Sequence, residues 1–114
     1  VMKKSLVLAM VLAGFAATSF AAEPAFLADR HVARGAPCES CHGVKAPTPG
    51  AKVPSAACTT CHGSLDKVAE RTKAKVPNPH YNHLIGTDCQ ECHKGHAQSV
   101  NLCGSCHNLD WKVP

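Results

Sequence analysis

The longest apolar run in the chain lies at its start. Leu6 to Phe20 is apolar except at Gly14, Thr18 and Ser19, and Lys3 and Lys4 precede it. A short positive segment, an apolar run, and small residues around Ser19-Phe20-Ala21 form the pattern of a secretory signal peptide. The run is too short and too rich in Ala to make a comfortable membrane span. The expectation is a signal peptide over residues 1–22, cleaved to leave one domain over residues 23–114; an uncleaved anchor is the alternative. Beyond it, one stretch carries a helical period. Leu65, Val68, Ala69 and Thr72 recur on one face, Ser64 stands where a cap belongs, Asp66 lies in the first turn and Lys73 near the end. Pro77 and Pro79 stop it. Gly43 to Ala57 contains Pro47, Pro49, Gly50 and Pro54, which predicts an irregular loop. No segment alternates as a strand does. The predicted fold class is mostly irregular with a few short α-helices.

Composition sharpens this. Past the apolar run, the aromatic residues are Phe26, Tyr81 and Trp111. So short a chain with so few large apolar side chains cannot bury much core alone and needs covalent staples. The eight Cys are the obvious source, and export takes them where thiols are oxidised or chemically attached.

Every Cys belongs to one repeated word. Its copies are Cys38-Glu39-Ser40-Cys41-His42, Cys58-Thr59-Thr60-Cys61-His62, Cys89-Gln90-Glu91-Cys92-His93 and Cys103-Gly104-Ser105-Cys106-His107. The gaps between copies are unequal, which excludes a solenoid repeat. Cys-x-x-Cys-His is the attachment signature of c-type haem. The two sulfurs add across the two vinyl groups, and the next residue supplies the proximal nitrogen to iron. Eight Cys could instead form disulfides, paired Cys-x-x-Cys units could bind zinc, and a single unit could be a thiol redox site. None of these needs His after the second Cys. With 8 His in 114 residues, four such His by chance have a probability of roughly 10⁻⁵ under the motif's spacing rule. The reading is four covalent c-type haems per chain, with thioethers at Cys38, Cys41, Cys58, Cys61, Cys89, Cys92, Cys103 and Cys106. Their proximal ligands are His42, His62, His93 and His107.

Four more histidines remain: His31, His80, His83 and His96. Both Met residues, Met2 and Met10, fall in the signal segment. Four irons need four distal ligands, and bis-His ligation throughout is the economical reading, although any one of these His could serve structure or face solvent. Two imidazoles leave iron with no open position, which suits electron transfer, and the lack of a Met ligand predicts low potentials.

Charge excludes other partners. The formal +4 includes Lys3 and Lys4; from residue 23 onward, 10 basic residues face 8 acidic ones. Eight haem propionates would make the loaded protein about −2 when oxidised and about −6 when reduced. The basic residues are scattered, so neither a nucleic-acid binder nor a protein stably inserted in a membrane after cleavage is expected.

The lead-in Arg30-His31-Val32, the segment His80-Tyr81-Asn82-His83 and the run Cys92-His93-Lys94-Gly95-His96 resemble the small tetrahaem cytochromes of anaerobically respiring bacteria. Cys61-His62-Gly63-Ser64-Leu65-Asp66-Lys67-Val68-Ala69-Glu70 and Asn108-Leu109-Asp110-Trp111 are closer still to the tetrahaem domain of flavocytochrome c fumarate reductases. The resemblance covers about the whole of residues 23–114. It implies a compact multihaem cytochrome c with little secondary structure, organised around four closely spaced bis-His haems. It also implies that His96 serves the iron of His42, that His31 serves that of His62, and that His80 and His83 serve those of His93 and His107.

In the flavocytochromes a flavin domain follows in the same chain. The 114 residues here hold no dinucleotide fingerprint and no catalytic constellation. The expectation is a periplasmic electron carrier without catalysis of its own, either a shuttle or the cytochrome subunit of a flavin-dependent fumarate-type reductase. The resemblance implies a quinol-oxidising membrane cytochrome as donor and a flavoprotein reductase as acceptor or co-subunit. A multihaem reductase with an open haem site and a simple electron reservoir are the alternatives.

Overall fold

The computed structural model describes residues 26–114. The expected signal peptide over 1–22 lies outside them. Five short α-helices follow in order: α1 (Leu27–Ala33), α2 (Glu39–His42), α3 (Ser55–His62), α4 (Leu65–Thr72) and α5 (Cys89–Cys92). A 3₁₀ turn at Leu102–Ser105 comes last. The described residues contain no strand. None of their helices is long and apolar enough to cross a membrane.

The helix expected after Ser64 is α4, and Ala69 on its apolar face is buried. Ser64 holds the cap position but, against expectation, its hydroxyl makes no capping bond. The start is fixed by the backbone instead, with the Val68 amide donating to the Ser64 carbonyl at 3.1 Å. The loop expected over Gly43–Ala57 is irregular up to Pro54 but gives way to α3 at Ser55. Pro54 is extended (ψ 147°), so its missing N–H falls outside the helix, and Ser55-Ala56-Ala57 form the first turn without hindrance. Helix α1 was not foreseen. Its start is held by the Asp29 carboxylate, which accepts from the Phe26 amide at 3.1 Å, the returning half of a capping box.

Each Cys-x-x-Cys-His copy is wound into one helical turn. The His amide donates to the carbonyl of the first Cys at 3.0 Å for His42, 2.8 Å for His93 and 2.8 Å for His107; the second copy lies inside α3. Helical winding sets positions i, i+3 and i+4 on one face, so both sulfurs and the imidazole of a copy project together. Gly follows the first two copies. Gly43 (φ 71°) and Gly63 (φ 81°) turn the chain away through the left-handed region, which glycine enters without a Cβ clash.

Helix α3 is the hub, packing on α2, α4 and α5. Its N-terminus is tied to that of α5. The Ser55 hydroxyl donates to Asp88 and accepts from the Cys89 amide, both at 3.0 Å, and the Gln90 amide group donates to the Val53 carbonyl. At the other side the Ala28 amide donates to the Gly95 carbonyl at 2.8 Å, which fastens α1 beside the third motif. Among the described residues Ala69 is the only buried hydrophobic side chain, while Val76 and Tyr81 are 86% and 70% exposed. The polypeptide builds no apolar core of ordinary kind from these side chains.

Candidate functional site

The eight histidines meet as four pairs, each joining a motif His to one of the other four. His31 faces His62 with ring centres 6.0 Å apart, and His42 faces His96 at 6.1 Å. His80 faces His93 at 6.1 Å, and His83 faces His107 at 6.0 Å. The spacing varies by 0.1 Å while the interplanar angle runs through 70°, 14°, 7° and 52° in the same order. Direct stacking would couple angle to distance. A constant distance at arbitrary angle is what rotation about a shared nitrogen–metal–nitrogen axis gives. Two imidazoles bound to opposite sides of one ion through bonds of about 2 Å hold their ring centres about 6 Å apart. The residues present therefore fit a six-coordinate haem iron between each pair.

Secondary structure and local polar bonds aim each ring. On α1, His31 Nδ1 donates to the Leu27 carbonyl one turn back, at 2.8 Å, which leaves Nε2 with the lone pair. His42 ends α2 with its Nδ1 buried and without a partner. His62 ends α3, and its carbonyl accepts from the Arg71 guanidinium at 2.5 Å. His93 follows α5 and lies 3.2 Å through Nδ1 from the Pro114 carbonyl oxygen. His96 follows Gly95, the residue fastened to α1. His107 follows the 3₁₀ turn, where Asn101 accepts from the Gly104 amide at 3.2 Å and donates to the Leu109 carbonyl at 2.6 Å.

His80 and His83 come from one loop stiffened by two asparagines. Asn78 donates to the Ala69 carbonyl at 2.8 Å and accepts from the His80 amide at 3.0 Å. Asn82 donates to the carbonyls of Asn78 and Pro79, both at 2.9 Å, and accepts from the Leu84 amide at 2.8 Å. Burial holds His80 below the usual imidazole range, and the positive charges of His93 and Arg71 push the same way. The neutral ring keeps a lone pair to give.

The thiols lie next to one another from copy to copy. Burial pushes the Cys58 thiol up, and neighbouring Cys89 and Cys41 push it further. Burial also raises Cys92; a bond from Leu102 opposes this, and Cys103 adds to the rise. The second motif thus adjoins the first and third, and the third adjoins the fourth. Among the described residues no Cys is joined in a disulfide, and no three His, Cys, Asp or Glu side chains gather at metal-binding spacing.

A cleft of about 370 Å³ opens between His83 and His107. Pro77, Leu84, Leu102, Leu109 and Trp111 wall it, and Cys103 and Cys106 stand at its side. Apolar walls with a few convergent polar groups are the usual lining of a cofactor site.

Sequence reasoning missed the groups that hold the rings, above all Thr72 and Asn78. Their signal was weak: two small polar residues lying eight and two positions before a histidine.

A family model described as Cytochrome c3 matches residues 30–108. A protein of Shewanella frigidimarina (strain NCIMB 400), named Probable fumarate reductase Ifc3, is 32% identical over 111 residues. That match covers 96% of this chain and 18% of the relative, so the chain spans less than a fifth of that protein's length.

Proposed function

The chain belongs to the cytochrome c3 family, and from that premise we propose that it carries four c-type haems, each held between two histidines, and conducts electrons along them. Family membership makes it a multihaem electron-transfer protein with covalently attached c-type haem. The observation that carries the count and the ligation is the set of four imidazole pairs at 6.0–6.1 Å.

When bound, such a group supplies a one-electron iron couple. The chain's residues do the rest. The eight motif cysteines would fix it covalently, so attachment would not rely on a deep apolar pocket. His31 and His62, His42 and His96, His80 and His93, and His83 and His107 would hold the group between two imidazoles, a ligation that would exclude oxygen and small substrates and keep structural change on electron transfer small. Cys58 beside Cys41 and Cys89, and Cys92 beside Cys103, set neighbouring attachment points close together along the fold.

The apolar run over 6–20 and the family point to the periplasm as the place of work. The donor in this reading is a quinol-oxidising membrane cytochrome. The acceptor is a flavin-dependent reductase of fumarate or a similar unsaturated acid, reached as a shuttle or as its cytochrome subunit. Support comes from the relative named for fumarate reduction, which aligns with this chain over 18% of its length. Stopped-flow mixing tests it. The reduced protein should be reoxidised rapidly by a flavin-dependent fumarate reductase with fumarate present, and not by fumarate alone. Equal rates with and without the flavoprotein would refute the assignment.

A further inference from the structure

We propose that Thr72 is the positioning residue of the His80–His93 site, and that its hydroxyl, held by Asn78, sets the tautomer, orientation and donor strength of His80. This rests on bis-His haem ligation as argued above.

Thr72 is the last residue of α4. Its Oγ1 lies 3.0 Å from His80 Nδ1. The same oxygen lies 2.8 Å from Asn78 Oδ1, 3.1 Å from the Val68 carbonyl and 3.2 Å from the Ala69 carbonyl. Those three partners can only accept, so they take the hydroxyl proton. The lone pairs of Oγ1 are then left for His80 Nδ1–H. Asn78 completes the ring of bonds, since its Oδ1 also accepts from the His80 amide and its Nδ2 donates to the Ala69 carbonyl. All three side chains are half-buried, where a polar network holds a single geometry more firmly than it would in water.

Three consequences follow for His80. Its proton stays on Nδ1 and its lone pair on Nε2. Its ring plane is fixed, nearly parallel to that of His93 at 7°. Its electron donation rises, because a bonded Nδ1–H makes an imidazole more basic, and a stronger donor favours the oxidised iron. Among the described residues, no other distal histidine ring is hydrogen-bonded by a side chain. His31 bonds a carbonyl of its own helix, and the rings of His83 and His96 make no hydrogen bond to another described residue.

The test is Thr72→Val in the haem-loaded protein, with Thr72→Ser beside it. The readout is a redox titration followed by NMR, which resolves the haem attached at Cys89 and Cys92 from the others. Wild-type titration with four low-spin haems checks the ligation separately. In T72V that one haem should become easier to reduce, its reduced-to-oxidised ratio at fixed ambient potential rising by up to about tenfold, equivalent to about 59 mV for a one-electron couple. The other three should hold, and T72S should restore the wild-type value. No change at that haem, or an equal shift at all four, overturns the proposal. If T72V loses haem, T72S decides: wild-type haem content and potentials support the hydroxyl's role, and loss of haem there too overturns it.

Discussion

His80 and His83 leave the same loop three residues apart, yet they enter two differently built surroundings. His80 and its partner His93 are both half-buried. The first is bonded to Thr72 and the second lies against the Pro114 carbonyl. His83 and its partner His107 are both exposed, and neither ring is bonded to another described residue. They flank an apolar cleft instead. One loop therefore serves a site fixed by polar bonds inside the fold and a site shaped by apolar walls at its surface. The contrast shows that axial spacing and the support of the ligands are separate matters. Spacing is 6.0–6.1 Å at both, whereas contacts to the rings' own nitrogens exist at one alone.

The largest effect that sharpens this contrast comes from removing the rings. His80→Ala and His83→Ala should each open one iron, seen as prompt carbon monoxide binding by a single haem of the reduced protein. They should differ in stability. H80A removes the ring that bonds Thr72 Oγ1, while Thr72 keeps Asn78 and the Val68 and Ala69 carbonyls, a loss of about 0.5–1.5 kcal/mol beyond that of H83A, read as a lower Tm. Equal Tm values for the two variants would break the comparison.

The asparagines give the next effect. Asn78→Ala removes bonds to Ala69, Thr72 and His80. It should cost about 1–3 kcal/mol in denaturant titration and disturb the NMR signals of the Cys89–Cys92 haem. Asn82→Ala removes bonds within the loop itself, and should cost about 1 kcal/mol while disturbing the Cys103–Cys106 haem more. The reverse ranking would contradict the distinct roles given to the two residues.

The smallest effect is a control on α4. Glu70 pairs with Lys73 where both side chains are 68% exposed. Glu70→Ala should change stability by no more than about 0.5 kcal/mol and leave every haem potential in place. A shift at the His80–His93 haem would mean that surface charge, rather than Thr72, governs that site.

Much of this was legible in the sequence because it is local. A Cys-x-x-Cys-His copy carries its whole attachment chemistry within five residues, and α4 shows its period and its prolines within fifteen. Helix α1 was not legible, since seven residues with an aromatic at the cap position give little signal; Asp29, reaching back to Phe26, was the one available mark. The start of α3 was hidden behind Pro54, read as loop although a proline just before a helix leaves its first turn intact. Which rings face one another depends on contacts far apart in the chain, such as Ala28 with Gly95 and Ser55 with Asp88, and periodicity carries no trace of those. The support of His80 stayed hidden for another reason. Threonine and asparagine are common in turns and helix ends, and only the fold shows that Thr72 meets the His80 ring while Asn78 holds both the Thr72 hydroxyl and the His80 amide.

The most direct test of the account is spin-quantified electron paramagnetic resonance of the fully oxidised protein. Four low-spin ferric haems per chain are expected, two from near-parallel ligand planes (7° and 14°) and two from strongly tilted ones (52° and 70°). A high-spin signal, or fewer than four low-spin haems in a protein whose mass shows four attached, would contradict it.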